Sequence, residues 1–140
     1  MRRILLLLGV ISFIVTGCVS KGNFTLIQIK DLFEQHGIAL ETMTDISKEN
    51  VFIMSLNDVE PAYYKINKDQ LISIYVYSSV NGVKKGIQDF EDKTAAAELV
   101  SHDRYQVGNV LIFYESGSSS RDDEVEQVIV DLKLIWDERH

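Results

Sequence analysis

A single cysteine, a single proline and a single tryptophan are spread over the 140 residues, and histidine occurs only three times. With one thiol, no intramolecular disulfide can form and no multi-cysteine metal site can be built. Basic side chains are also in deficit, 14 against 21 acidic ones. An acidic body is repelled by nucleic acid and by anionic headgroups, so nucleic-acid binding is disfavoured. No apolar run reaches the roughly 20 residues that a membrane-spanning helix needs. No internal repeat is present, and the one low-complexity patch, Ser116-Gly117-Ser118-Ser119-Ser120, reads as a loop.

What is present stands at the start. Arg2 and Arg3 precede an apolar run from Ile4 to Val15, followed by Thr16, Gly17 and the sole cysteine, Cys18. A basic flank, about a dozen apolar residues and small residues at the end have the proportions of a secretory signal. The segment resembles bacterial lipoprotein precursors, in which a Leu/Val-x-Gly/Ala-Cys motif marks the cleavage site of the lipoprotein-specific signal peptidase. Val15, Thr16, Gly17 and Cys18 fill its four places. The resemblance implies a diacylglyceryl group on the Cys18 sulfur, cleavage after Gly17, and acylation of the new amine. Two or more chains suffice for stable anchoring, whereas one binds marginally. The expected localisation is the extracytoplasmic face of the cell membrane, held in the bilayer through acylated Cys18.

On this reading residues 1–17 are a signal peptide, 18–24 a lipidated cysteine with a short linker, and 25–140 one domain. Loss of Arg2 and Arg3 leaves 12 basic and 21 acidic side chains in the mature chain, a net charge of −9. The linker to Phe24 spans at most some 20 Å when extended, which keeps the domain close to its anchor.

Periodicity gives the elements. Thr25 and Gln28 form a capping box, with Phe24 and Ile29 placed as a hydrophobic staple, and Leu26, Ile29, Leu32 and Phe33 make an apolar helical face ending at Gly37. Residues 38–44 read as a strand, Val51–Leu56 as a strand or, at that length, a buried helical turn, and Ala62–Ile66 as a strand joined by a hairpin at 67–70 to Leu71–Tyr77. In that last strand Ile72, Ile74 and Val76 alternate with Ser73, Tyr75 and Tyr77. Ser78 or Ser79 caps a helix bearing Val80, Val83, Ile87 and Phe90, whose Gly82 and Gly86 permit close approach to a sheet; whether Ala95–Val100 continues it is open. Strands at 105–107 and 110–114 flank a Gly108-Asn109 turn. A final helix carries Val125, Val128, Ile129, Leu132, Ile135 and Trp136 on one stripe. The expected fold is α+β: two layers, a mostly antiparallel sheet of four or five strands, and helices packed on one face.

Chemistry-bearing residues are few. His36 ends the first helix, His140 closes the sequence and is expected to be loose, and His102 stands beside Asp103, the one pair that resembles a base with its orienting carboxylate. The acidic runs Asp89-Glu91-Asp92 and Asp122-Asp123-Glu124-Glu126 lack the spacing of a calcium loop and read as solvated helix faces. No metal and no cofactor is expected. If helices cover only one side of the sheet, Tyr63, Tyr75 and Tyr77 form an open binding face with Lys65 and Ser73 between them. The alternative is that these rings bridge strands beneath a helix edge. The leading functional expectation is a non-enzymatic lipoprotein that binds a protein or envelope component. A cell-envelope hydrolase using His102 and a purely oligomerising lipoprotein are the alternatives.

Overall fold

The computed structural model describes residues 22–67, 70–116 and 122–140. Helix α1 (Leu26–Gln35) leads to a short strand β1 (Glu41–Thr42), then β2 (Ala62–Ile66) and β3 (Gln70–Val76). Helix α2 (Val80–Thr94) follows, then β4 (Asp103–Val107), β5 (Val110–Tyr114) and the closing helix α3 (Asp123–Arg139). The five strands form one wholly antiparallel sheet in the order β1-β2-β3-β5-β4. The α+β class and the antiparallel sheet are as the sequence suggests. Among the described residues no helix is long and apolar enough to cross a membrane.

The arrangement of helices differs from the expected two layers. Alternate residues of β3 feed two separate cores. Ile72 and Ile74, with Val110, Ile112 and Tyr114 of β5, pack against Ile29, Leu32 and Phe33 of α1 and Val125, Val128, Ile129 and Leu132 of α3. Leu71, Tyr75 and Tyr77, with Leu111 and Phe113, pack against Val83 and Phe90 of α2 and against Phe52 and Leu56. Helices therefore cover both faces. The sequence of β3 permits this because its second face carries large aromatic rings rather than charges, and α2 brings an apolar stripe to meet them.

Gly86 lets α2 come that close. A side-chain carbon there would collide with the Tyr77 hydroxyl and stand 2.6 Å from Cζ of the same ring. The capping box of α1 forms as read, Thr25 accepting from the Gln28 N–H while the Gln28 side chain accepts from the Thr25 N–H. Phe24, buried just before it, lies 5.9 Å from the Trp136 ring.

Two expected strands are shorter or absent. Of residues 38–44 only Glu41–Thr42 pairs, with Lys65 and Tyr64. Val51–Leu56 takes the helical alternative rather than the strand: Val51–Ile53 is a 3₁₀ turn capped by Asn50, whose side chain accepts from the Phe52 N–H at 2.8 Å. Leu56 and Val59 then close a two-residue turn in which Asn57 and Asp58 both have positive φ, 47° and 60°. Such turns favour Asn and Asp, whose short side chains tolerate the left-handed region. Helix α2 ends at Thr94, so Ala95–Val100 does not extend it.

Candidate functional site

The expected tyrosine face exists as a face but is not open. Tyr63 opposes Ser73 across the β2–β3 pair, and Tyr75 and Tyr77 follow on the same side. Tyr75 and Tyr77, however, are 0% and 4% exposed, and Tyr63 is half-buried at their edge. Their hydroxyls explain why. Tyr75 donates to the carbonyls of Phe52 at 3.2 Å and Met54 at 2.7 Å, and Tyr77 to that of Leu56 at 3.2 Å. The 51–56 segment has few ladder bonds of its own and is laced to the sheet by these phenols. Burial, then the neighbouring Tyr77, raises the Tyr75 hydroxyl above the ordinary phenol range; burial, then the Asp89 carboxylate, raises that of Tyr77 to about 12. Both remain protonated donors at neutral pH. The reading of Tyr75 and Tyr77 as contact residues is thus overturned: they are rivets.

His102 and Asp103 do not act as a pair. Asp103 opposes Tyr114, whose ring belongs to the α1–α3 side. The His102 ring sits on the other side, 4.9 Å from Phe52 and 6.1 Å from both Phe90 and Phe113. Its Nδ1 lies 2.9 Å from the Val100 carbonyl, which that nitrogen reaches as a donor. Successive residues of an extended chain point to opposite faces, which is why adjacency in sequence misleads here. His36 contacts Asp131 through Nε2 at 2.8 Å, tying α1 to α3. His140 stacks on Trp136 at 3.9 Å instead of hanging free.

The acidic runs are structural. Asp122 caps α3, accepting from the Glu124 and Val125 N–H groups, and also receives Asn67 and Tyr114. Glu91 pairs with Arg104 and Asp92 accepts from Gln88. Among the described residues no group of three or more carboxylate, histidine or cysteine side chains is arranged to hold a metal ion.

Asp89 has the most worked-out surroundings. It accepts from Lys93 at 2.8 Å and from the Asn57 N–H at 2.8 Å, clamping the left-handed turn to α2, while Lys93 also donates to the Ser55 carbonyl. The Lys93 hydrogen bond, then that of Asn57, holds its carboxyl below the ordinary 3.8. A lowered folded-state pKa contributes stability that is present above the unfolded value and is lost as pH falls through the folded one. Asp89→Asn is therefore expected to melt below the parent at about pH 7, with the gap narrowing as the pH falls below the ordinary 3.8. A constant gap in paired melting curves would show that shape, not charge, holds the turn.

Several shallow clefts open on the described surface, among them a polar one of about 490 Å³ beside Asp58, Asp89 and Lys93 and one of about 300 Å³ between α1 and α3; the one with an aromatic floor, about 210 Å³, is lined by Glu49, Asn50, Val51, Phe52, Glu98, Leu99, Val100 and Glu115. Three carboxylates surround an apolar floor, with Phe52 backed by Phe90 and Phe113 at 6.0 and 5.7 Å. Val100 is 52% exposed. The cleft lies at the end of the sheet where Leu71 accepts from the Glu115 N–H. At the opposite end of β3, Tyr77 pairs with Asn109, and the incoming chain is fastened there at Phe24. At about 3.3 Å per residue the two ends are some 20 Å apart. Nothing in the sequence points to this cleft, because its lining comes from three segments that are far apart along the chain.

The expected lipidation site, Val15, Thr16, Gly17 and Cys18, lies outside the described residues. Comparison of the chain with protein-family models, with curated proteins and with solved structures finds no match.

Proposed function

We propose that the chain is a lipid-anchored, extracytoplasmic binding module that offers its acidic cleft to a basic, apolar-tipped segment of another envelope protein. The observation that carries the anchoring is the Val15-Thr16-Gly17-Cys18 sequence at the close of an apolar run with a basic flank. The position of the cleft supports display, since it opens at the end of the sheet farthest from where the chain enters. Its size supports a protein segment over a small molecule. Pockets for drug-sized molecules and cofactors run from about 300 to 1,000 Å³. A space of about 210 Å³ suits one or two side chains of a protein segment. Glu49, Glu98 and Glu115 favour a cationic neighbour, and Phe52, Leu99 and Val100 favour an apolar tip.

The hydrolase alternative draws no support from the geometry, because the His102 Nδ1 is engaged with Val100 and Asp103 lies on the other side of the sheet.

A photocrosslinking residue in place of Val100, with one in place of Ile27 as control, tests the proposal in living cells. Ile27 is 71% exposed on α1, close in sequence to Phe24 where the chain enters, and is not part of the cleft lining. The expected result is a discrete adduct to another envelope protein from position 100 and none from position 27. No adduct from position 100 on properly anchored protein overturns the reading, and an adduct to a second copy of the chain favours the oligomerising alternative in its place.

A further inference from the structure

The end of the domain at which the chain enters has its own chemistry. Asn23 donates to the Ser78 carbonyl at 2.6 Å, and Phe24 is held on both its N–H and its carbonyl by Asn109, at 2.7 and 3.0 Å. The chain is thus fixed to the body from Asn23 onward. Only residues 19–22 separate that point from Cys18. Five extended steps reach at most about 18 Å. A domain of this size has a radius of gyration of about 13–14 Å, so it is wider than its leash is long. An acylated Cys18 therefore leaves one end of the domain facing the lipid.

That end gathers Phe24, the Gly108-Asn109 turn, Val80 at the start of α2, and the last turn of α3. Trp136 is half-exposed there, between Phe24 at 5.9 Å and His140 at 3.9 Å. The Arg139 guanidinium lies over the Phe24 ring at 4.9 Å, and its Nη1 is buried with no acceptor among the described residues. Val80 is 37% exposed. A tryptophan with a wet edge and a partly exposed arginine both suit the headgroup layer, where indole rings concentrate and phosphate oxygens are plentiful. Asp137 and Glu138 of the same turn are exposed and carry the opposite sign. The contact is therefore set by the tether and the rings, not by net charge.

We infer that this end of the domain, centred on Trp136 and Arg139, rests on the lipid surface and holds the molecule in one orientation, with the acidic cleft turned outward. The inference rests on the lipoprotein reading of Cys18.

Trp136 is the only tryptophan in the chain, so its emission reports this end alone. The test uses the processed, acylated protein in phosphatidylcholine vesicles, with and without lipids brominated on the upper acyl chain, and with a fraction of phosphatidylglycerol added in parallel. Loss of Trp136 emission in the brominated vesicles, little changed by phosphatidylglycerol, is expected. Protein that floats with the vesicles, carries the acyl mass on Cys18 and shows no loss of emission overturns the resting orientation while leaving the anchor in place. Protein lacking the acyl mass overturns the anchor reading, and the orientation falls with it.

Discussion

Cys18→Ser is expected to abolish acylation, and the membrane-bound fraction of mature protein should fall from nearly all to nearly none. The physical reason is additive burial of methylene groups, each contributing about 0.8 kcal/mol on entering the bilayer, so that two or more chains hold a protein where one holds it marginally. Serine is close in size to cysteine, but its hydroxyl does not form the thioether. The variant is expected either to appear in the soluble extracytoplasmic fraction or to accumulate as an uncleaved precursor retaining residues 1–17. Fractionation with immunoblotting separates these outcomes, and intact mass spectrometry of the parent supplies the control. An unmodified thiol on the parent protein would remove the ground for both the location and the orientation proposed above.

Asn109→Ala is expected to give the largest loss of stability of any single polar substitution in the domain, about 3 kcal/mol. Asn109 is 1% exposed and makes three side-chain hydrogen bonds: its Oδ1 accepts from the Phe24 N–H, and its Nδ2 donates to the carbonyls of Phe24 and Tyr77. Alanine leaves all three partners in a space that no other side chain serves. A buried group left unpaired costs about 1–3 kcal/mol, partly relieved if water enters. For a domain of this size that is a fall in melting temperature of roughly 10 °C. The loss should be local as well as global, with protease cleavage rising ahead of Phe24, because the same side chain fastens the incoming chain. Thermal melts and limited proteolysis of the soluble Cys18→Ser protein, with and without the second change, measure both. A loss under about 1 kcal/mol would mean that the Phe24 end relaxes freely and that Asn109 is no clamp.

The parts of the fold that were legible beforehand are those in which a local signal is also the deciding one. Thr25 and Gln28 satisfy each other whatever surrounds them, so the start of α1 could be read directly. The alternation in β3 placed Ser73, Tyr75 and Tyr77 on one face correctly, because the pleat allows nothing else. What alternation does not encode is the lid. Whether a face of tyrosines meets water or a helix depends on where α2 returns, which is settled by Gly86 and by the stripe Val83–Phe90 finding the phenol rings.

The 51–56 segment is ambiguous in sequence for a related reason. A short apolar run suits a strand or a packed strap equally, and the tyrosine hydroxyls that select the strap are some twenty residues away in sequence. The cleft was illegible because Glu49, Glu98 and Glu115 come together only after folding. The proposed anchoring motif stands at the other extreme, since such a signal is local and would be read by other enzymes rather than by the fold.

The smallest strand has a consequence out of proportion to its length. Molecules held in a bilayer meet one another far more often than the same molecules diluted in three dimensions, and always in similar attitudes. A sheet margin with a long run of vacant amide and carbonyl groups would then invite neighbour after neighbour to add on. The margin at Glu41–Thr42 provides a ladder of two residues, both exposed and one of them charged, beyond which the chain turns away. On that side a neighbour finds almost nothing to extend, so edge-to-edge addition would have to use the sheet's other margin, the five-residue β4.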